Sequence, residues 1–227
     1  MYKFFKRLFD ILASGLALLV LSPLLIPIII GLKLTGEHYI WFLQERVGYR
    51  NKIFNIYKFA TMLKDSANMK GGLITLKKDP RITPMGGFLR TYKINELPQL
   101  FNILKGDMSV IGPRPVMKKS FDAYPAEIQK VIYNVKPGLS GIGSIIFRDE
   151  ETLITKVRDE GGDTWDFYKN KIYPYKGDLE LWYQENASMI TDFKIIFLTV
   201  WLIIFPDSDL PETFFKNLPP KPDFLKK

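Results

Sequence analysis

The apolar positions of this chain fall into three patterns, and each predicts a different element. The first is an unbroken apolar run from Ile11 to Leu32, ILASGLALLVLSPLLIPIIIGL, led in by the aromatic and basic stretch MYKFFKRLFD. The run holds 22 residues and no charge, and about 20 suffice for a helix to cross a hydrocarbon core of roughly 30 Å. No small-residue cleavage site follows it, which argues against a signal peptide. Ser22-Pro23 sits in its middle, with Pro27 close behind. Proline removes a backbone donor and clashes with the preceding turn, so the pattern predicts two helical halves broken at Ser22-Pro23. Ser22 can satisfy a carbonyl that the proline frees. Each half, about 15–18 Å long, is too short to cross alone. Lys3, Lys6 and Arg7 precede the run, and Lys33, Arg46 and Arg50 follow it. That balance favours both ends on the cytoplasmic side. The preferred reading is a re-entrant helix-break-helix that dips into one leaflet, and a kinked spanning helix is the alternative.

The second pattern is β-branched and aromatic. YIWFLQ and KIFNIYKF flank Gly48-Tyr49-Arg50-Asn51, which predicts strand–turn–strand over 39–62. The third has helical spacing. Leu97, Leu100, Phe101 and Leu104 lie at i, i+3, i+4 and i+7, one face of a short helix. Residues 119–134 predict a helix interrupted by Pro125, 136–143 a tight loop, and 174–190 a further helix. Ile195 to Phe205 is a second apolar run, but its 11 residues are too few to span and suit a buried or interfacial helix. Residues 63–80, polar with Gly71-Gly72, read as a mobile loop. Residues 206–227, with five prolines, read as an irregular tail. The expected fold is therefore α/β, mainly helical, with a small β-hairpin and interfacial amphipathic helices. Its parts are a membrane segment over 1–36, a domain lying on the membrane over 37–205, and a Pro-rich tail over 206–227.

Composition narrows the chemistry. Net charge is +8, from 32 Lys+Arg against 24 Asp+Glu, which suggests an anionic partner. Without cysteine there are no disulfides, thiolate nucleophiles or Cys-based zinc sites. The only histidine, His38, ends an apolar segment and reads as structural or interfacial. Chemistry must then rest on carboxylates, Lys/Arg and a hard metal ion. A nucleic-acid role would use the charge but leaves the apolar N-terminus unexplained, so no nucleic-acid partner is expected.

The stretch Arg90–Pro115, RTYKINELPQLFNILKGDMSVIGPRP, concentrates candidate groups. Asn95-Glu96 precedes the short helix, and Asn is a good N-cap. Pro98 is tolerated in a first turn. Gly106-Asp107 ends the helix, and Gly112-Pro113-Arg114-Pro115 is a stiff turn carrying one guanidinium. Helix N-termini favour anions, and arginines lie on either side. Two readings stand: a phosphate site with a carboxylate beside it, or a capped surface helix with scattered charges. Asp107 suits a turn at least as well as a metal, and Asp192 suits the N-cap of the second apolar run.

The order of segments resembles the bacterial sugar transferases, monotopic polyprenyl-phosphate phosphoglycosyl transferases. The resemblance covers roughly residues 3 to 205. Its marks are Lys6-Arg7-Leu8-Phe9-Asp10, Ser22-Pro23, Gln44-Glu45-Arg46-Val47-Gly48, Tyr57-Lys58-Phe59-Ala60-Thr61-Met62 and Asp79-Pro80-Arg81-Ile82-Thr83. Further marks are Glu96-Leu97-Pro98-Gln99-Leu100, Gly106-Asp107-Met108-Ser109, Gly112-Pro113-Arg114-Pro115 and Lys136-Pro137-Gly138-Leu139-Ser140-Gly141. Singly each is weak; together and in this order they are specific.

The resemblance implies transfer of a sugar 1-phosphate from a UDP-sugar to undecaprenyl phosphate, with Mg²⁺ and release of UMP. This would be the first membrane step of surface glycan assembly, at the cytoplasmic face of the bacterial inner membrane. It implies a re-entrant helix breaking at Ser22-Pro23. It places Asn95 and Glu96 at the catalytic centre, with Lys58, Arg90, Arg114 and Arg81 as substrate-binding cations. Glu96 and Asp107 become the metal candidates. Guanidinium groups suit phosphate oxygens, and Mg²⁺ takes one or two carboxylates beside substrate phosphates.

Two departures matter. The family's central pair is usually Asp-Glu, its Asp taken as the nucleophile, and here that position is Asn95. An amide is not a competent nucleophile at phosphorus. Glu96 then takes over as nucleophile or metal ligand, with the lipid phosphate attacking directly; or the chain binds without turnover; or the residue is an engineered Asp→Asn change. The second departure is Ala60, where the family commonly has Arg; Lys64 is the candidate substitute. The sugar, the pathway and the oligomeric state, a homo-oligomer included, stay open at this level.

Overall fold

The computed structural model describes residues 1–66, 69, 79–215 and 217–225. The Gly71-Gly72 loop expected within 63–80 lies largely outside the described residues. The fold is mainly helical, with two small two-stranded sheets.

Helix α1, Tyr2–Leu34, is one continuous helix of 33 residues. By length and composition it could cross a membrane. The expected break at Ser22-Pro23 does not interrupt it. Pro23 has no N–H to offer the Leu19 carbonyl, and Ser22 Oγ supplies the missing bond to Leu19 O at 2.7 Å. The helix therefore continues where the proline alone predicts an end.

One stripe of α1 is buried, through Asp10, Ser14, Leu25, Ile28 and Leu32. Leu18 and Leu21 fill the gap between them. This stripe packs along the protein body from end to end. Near its start, Asp10 Oδ1 accepts from Ser109 Oγ at 3.0 Å and from Val110 N at 2.9 Å. Near its end, Leu25, Ile28 and Leu32 pack with Phe59 and Leu89. The opposite face exposes Leu12, Leu16, Leu19, Val20 and Ile26.

Strands β1 (Trp41–Val47) and β2 (Ile53–Phe59) form the antiparallel hairpin, in register from Trp41 opposite Phe59 to Val47 opposite Ile53. Its turn places Arg50 and Asn51 in the left-handed region, φ 54° and 58°. Helix α2 (Pro84–Thr91) is capped by Thr83 Oγ1, which accepts from Gly86 N at 3.1 Å. Gly86 is obligatory there, because a Cβ would lie 2.1 Å from the Thr61 carbonyl oxygen.

A 3₁₀ turn, Ile94–Glu96, precedes α3 (Gln99–Lys105). Asn95 is thus inside the turn and does not cap α3, contrary to the sequence expectation; its side chain caps nothing. Arg7 serves the other end of α3, donating Nη1 to Ile103 O at 2.6 Å and Nη2 to Leu104 O at 2.7 Å. A cation on the terminal carbonyls also interacts favourably with the negative end of the helix dipole.

Strand β3 (Ser109–Ile111) pairs in parallel with β4 (Gly138–Ser140). The loop expected over 136–143 is thereby partly a strand. Short helices α4 (Lys118–Phe121) and α5 (Ala126–Val131) flank Pro125. Helices α6 (Ile142–Ile146), α7 (Glu150–Asp159) and α8 (Thr164–Phe167) follow. A π turn, Tyr168–Ile172, leads from α8 into α9 (Tyr173–Glu185).

Helix α10 (Met189–Ile204) takes up the second apolar run. Ser188 is its N-cap, accepting from Thr191 N at 3.1 Å. Asp192, the expected cap, is instead buried and accepts from Lys6 Nζ at 2.7 Å, Tyr2 OH at 2.9 Å and Tyr183 OH at 2.7 Å. It joins the start of α1 to α9 and α10. The Phe9 and Phe193 rings meet edge-on at 5.3 Å. Helix α11 (Leu210–Phe214) opens the tail, and Phe215, Leu218, Phe224 and Leu225 pack on the core of α6, α9 and α10. The tail expected to be irregular thus carries a short helix and a 3₁₀ turn, Asp223–Leu225, and is anchored.

Candidate active site

Glu96 is the centre of the site. The turn Ile94–Glu96 sets it between strand β2, which carries Lys58, and the Gly112–Pro115 turn, which carries Arg114. Arg114 Nη2 donates to Glu96 Oε1 at 2.7 Å. Lys58 Nζ lies 3.6 Å from the same oxygen. Burial alone would raise the Glu96 carboxyl, but Arg114 and Lys58 outweigh it and hold it well below the usual carboxylate range. Glu96 is a fixed anion at any physiological pH.

The cations around it carry the complementary strain. Burial pulls the Lys58 ammonium down to about 8; Glu96 opposes the fall, while Arg114, Arg46 and Arg90 add to it. Burial also lowers Arg46 to about 10, and Arg114 repels it further. Arg90 is lowered by burial as well, with Glu151, Asp79 and Glu96 opposing. Its Nη1 donates weakly to Thr61 Oγ1 at 3.4 Å. Arg114 alone is raised, by Glu96. Arg114 and Lys58 thus hold one partly buried carboxylate, and Arg46 and Arg90 add positive charge that lowers Lys58 from further off. Such an excess is costly without an anion to share it, and it suits a ligand carrying two phosphates.

Of the cations expected from sequence, the structure brings Lys58 and Arg114 to Glu96, while Arg90 contacts Thr61 and acts on that pair only at longer range. Arg81 is not among them. Its guanidinium is forked onto Asp79, Nη2 to Oδ2 at 2.6 Å and Nε to Oδ1 at 2.9 Å, and Nη1 donates to Ser66 O at 3.1 Å. Arg46 takes a place sequence reasoning did not assign. It was quoted only as part of Gln44–Gly48, and the signal that finds it is the β-hairpin register, which puts Arg46 opposite Phe54. Its Nη2 donates to Gln44 Oε1 at 2.5 Å, and its Nε is buried without a partner among the described residues. Lys64, the candidate replacement for a basic side chain at Ala60, has its ammonium over the Tyr39 ring at 5.8 Å.

The two expected metal carboxylates are not brought together. Glu96 stands before α3 and Asp107 after it, so the helix separates them. Asp107 is paired locally with Lys105 at 3.1 Å. Among the described residues no group of three or more Asp, Glu or His is placed to hold a metal. Asn95, adjacent to Glu96, is 7% exposed, and its Oδ1 has no hydrogen-bond partner among the described residues. A buried amide oxygen without a donor is uncommon, and here it lies beside the one carboxylate of the site.

The turn that carries Arg114 is held by its neighbours. Tyr133 OH donates to Arg114 O at 2.8 Å and accepts from Val116 N at 3.1 Å. Gly112 N donates to Ser140 O at 3.0 Å, and Gly138 N to Pro113 O at 2.8 Å. Gly112, Gly138 and Gly141 pass so close that a Cβ on any of them would meet backbone within 2.3 Å. The Gly-Pro-Arg-Pro and Pro-Gly-Leu-Ser-Gly motifs are therefore two halves of one scaffold.

A family model described as bacterial sugar transferase matches residues 1–206. The chain belongs to the bacterial sugar transferase family. It is 36% identical over 208 residues to a UDP-N-acetylgalactosamine-undecaprenyl-phosphate N-acetylgalactosaminephosphotransferase of Aeromonas hydrophila, covering 89% of this chain and 44% of that protein. It is 36% identical over 210 residues to an undecaprenyl-phosphate glucose phosphotransferase of Komagataeibacter xylinus, covering 88% of this chain and 36% of that protein. The chain thus spans less than half the length of either relative. It matches the sugar transferase EpsL of Bacillus subtilis, whose own activity its name leaves open, at 35% identity over 195 residues, covering 86% of this chain and 85% of that protein.

Proposed function

We propose that this sugar transferase moves a sugar 1-phosphate from a UDP-sugar to undecaprenyl phosphate, giving undecaprenyl-diphospho-sugar and UMP. The observation that carries the reading is one ionised carboxylate, Glu96, held by Arg114 at 2.7 Å and Lys58 at 3.6 Å, with Arg46 and Arg90 adding positive charge that lowers Lys58. The names of the Aeromonas and Komagataeibacter relatives supply the substrate class.

The site suits a single displacement. An oxygen of the lipid phosphate forms a bond to the phosphorus that bears the sugar. The bond from that phosphorus to the bridging oxygen breaks, and UMP leaves with that oxygen and the electron pair. Arg114, Lys58, Arg90 and Arg46 hold the donor's phosphates and balance the charge that builds on the leaving phosphate. Asn95 has no charge to offer as a nucleophile, nor one to repel an incoming phosphate. Glu96 orients Arg114 and Lys58. Glu96 is the carboxylate that would hold one Mg²⁺ sharing the substrate phosphates, and Asn95, whose Oδ1 has no partner among the described residues, is its neighbour in sequence. Such an ion would supply further charge neutralisation at phosphorus. Asp107, at the far end of α3, takes no part.

The reaction belongs at the cytoplasmic face of the inner membrane, with the body of the protein over 37–205 resting on it. Both ends of α1 pack on that body, through Lys6, Arg7 and Asp10 at the start and Leu32 and Gly31 at the end. A helix crossing the bilayer would carry one end away. The exposed apolar faces of α1 and α10 then lie in one leaflet, at the level where a lipid phosphate sits.

The test is UMP release by purified protein in detergent with UDP-sugars, Mg²⁺ and undecaprenyl phosphate. Single displacement requires that UMP appear only when the lipid phosphate is present; a burst without it would overturn that step. A competing reading, binding without turnover, rests on Asn95. No UMP from any donor, with robust release by Asn95→Asp, would establish that reading in place of ours.

A further inference from the structure

A cleft of about 360 Å³ lies where α1 ends, and Leu32, Ala60, Met62, Pro84 and Met85 give it an apolar lining. The chemistry above does not use it. The hydroxyl groups that border it are already engaged. Thr35 Oγ1 donates to Gly31 O at 2.7 Å, Tyr39 OH donates to Met62 O at 2.7 Å, and Thr83 Oγ1 accepts from Gly86 N at 3.1 Å. What the cleft offers a ligand is therefore apolar surface, at a size ordinary for a small-molecule site. Glu37, the charged side chain among its described lining residues, is exposed at the rim, and a carboxylate there repels the phosphates of a nucleotide.

One wall of the cleft adjoins the phosphate site. Ala60, 4% exposed, extends the hairpin ladder past β2, its N–H donating to Ile40 O at 2.8 Å. It stands two residues, about 7 Å, along the strand from Lys58. The next residue, Thr61, takes the Arg90 contact on its Oγ1 at 3.4 Å, and Met85 shares α2 with Arg90. The other wall is α1. Leu32 lines the cleft, and its neighbours Ile30 and Leu34 are exposed on the same helix. The apolar lining is thus continuous with the helix assigned above to the leaflet. Cations at one wall and a lipid-facing helix at the other match an amphiphile with an anionic head and an apolar chain. We propose that this cleft takes the isoprenoid chain of the acceptor lipid, at the units nearest its phosphate, and that Ala60 is the residue that admits it. A methyl group there leaves the cleft open, whereas the arginine common in the family at this position would bring bulk and charge to its wall. The identity of the acceptor rests on the reaction proposed above.

The test has one arm that needs no turnover and two that rest on the reaction. In the first, farnesyl phosphate with a diazirine in its chain is photolysed with the protein in lipid nanodiscs, and the labelled residues are mapped by mass spectrometry. Wild type should be labelled at Leu32, Met62 or Met85. Ala60→Leu fills the cleft and should lose about tenfold or more of that labelling, while Ala60→Gly keeps it open and should stay within about twofold. In the other arms, Ala60→Leu should raise the KM for undecaprenyl phosphate about tenfold or more, with UDP-sugar affinity by calorimetry within about twofold of wild type. If Ala60→Leu fails to fold, Thr35→Leu fills the cleft from its exposed rim and is read in the same way. Labelling elsewhere on the wild type, or an Ala60→Gly variant as impaired as Ala60→Leu, would overturn the proposal. So would an unchanged acceptor KM, or a loss confined to the UDP-sugar, which would give the cleft to the donor. Equal labelling of the same residues by a phospholipid with a diazirine in its acyl chain would give it to the membrane. A wild type that releases no UMP sinks the proposed reaction, whereas the labelling still decides for or against the cleft.

Discussion

Replacing Lys58 by methionine should stabilise the ligand-free protein and disable it. The Lys58 side chain is 16% exposed, and its ammonium is held at about 8 against an ordinary 10.5. Burial is the main cause, and the repulsion of Arg114, Arg46 and Arg90 adds to it, beyond what Glu96 returns. At about 1.4 kcal/mol for each factor of ten, that gap bounds the cost of the folded charge near 3 kcal/mol. Relaxation and loss of the Glu96 contact trim the expected gain to about 1–3 kcal/mol. The sign follows from proton binding. The unfolded chain holds the Lys58 proton more tightly than the folded one, so the cost is full below about pH 8 and fades as pH rises toward 10.5. Denaturation of the two proteins in detergent, without nucleotide, should show the methionine variant more stable at neutral pH. The difference should shrink as the medium approaches about pH 10. Wild-type kcat/KM should fall on an alkaline limb near pH 8, because that ratio reports the free enzyme. UMP release by the variant should fall about 100-fold or more, for loss of a phosphate contact made in the transition state. A methionine variant less stable than wild type at neutral pH would refute the reasoning. So would a stability difference that does not move with pH, since the site would then not be carrying an uncompensated charge.

Glu96→Gln removes the carboxylate charge that Arg114 and Lys58 share and should lower kcat about 100- to 1,000-fold. Nucleotide affinity should hold or rise, since an anion has left a phosphate site; UMP release and calorimetry separate the two. Gly86→Ala should destabilise by about 3 kcal/mol or more, because its Cβ would lie 2.1 Å from the Thr61 carbonyl oxygen. Gly87→Ala, one residue on, meets only Ile82 Cγ2 at 4.0 Å and should gain about 0.5–1 kcal/mol of helix propensity; thermal denaturation of both checks the contrast. Asp10→Ala strands the Ser109 hydroxyl and the Val110 N–H beneath α1 and should cost about 2–4 kcal/mol. Asp10→Asn, which keeps an oxygen for both, should cost about 1 kcal/mol or less by the same measurement.

The elements were legible where their signals are local. The hairpin appears as its β-branched runs and its turn predict, with strands at Trp41–Val47 and Ile53–Phe59. The helices on either side of Pro125 and the helix over the second apolar run also fall where periodicity places them. Misreadings came where a side chain substitutes for backbone, or where a partner is distant in sequence. Pro23 should end a helix, but Ser22 replaces the lost donor. Asn95 reads as a cap by its type, yet a 3₁₀ turn buries it and Pro98 stands at the cap position. Asp192 reads as a cap until Tyr2, Lys6 and Tyr183, from far along the chain, are brought to it.

The sequence by itself determined that a long apolar segment leads a basic, cysteine-free domain, and that Glu96 between Arg90 and Arg114 is a candidate phosphate site, to which the family resemblance added Lys58. Those conclusions depend on residue type, spacing and order, which a linear chain displays directly. Only the tertiary structure decided which charges share a space. It placed Arg46 with the cluster and tied Arg81 to Asp79. It set Asp107 beyond α3, and it left the Asn95 oxygen, one position before Glu96, without a donor among the described residues. The reason is that charge interactions fall off with distance in space, and distance in space is set by packing between segments that the sequence keeps apart.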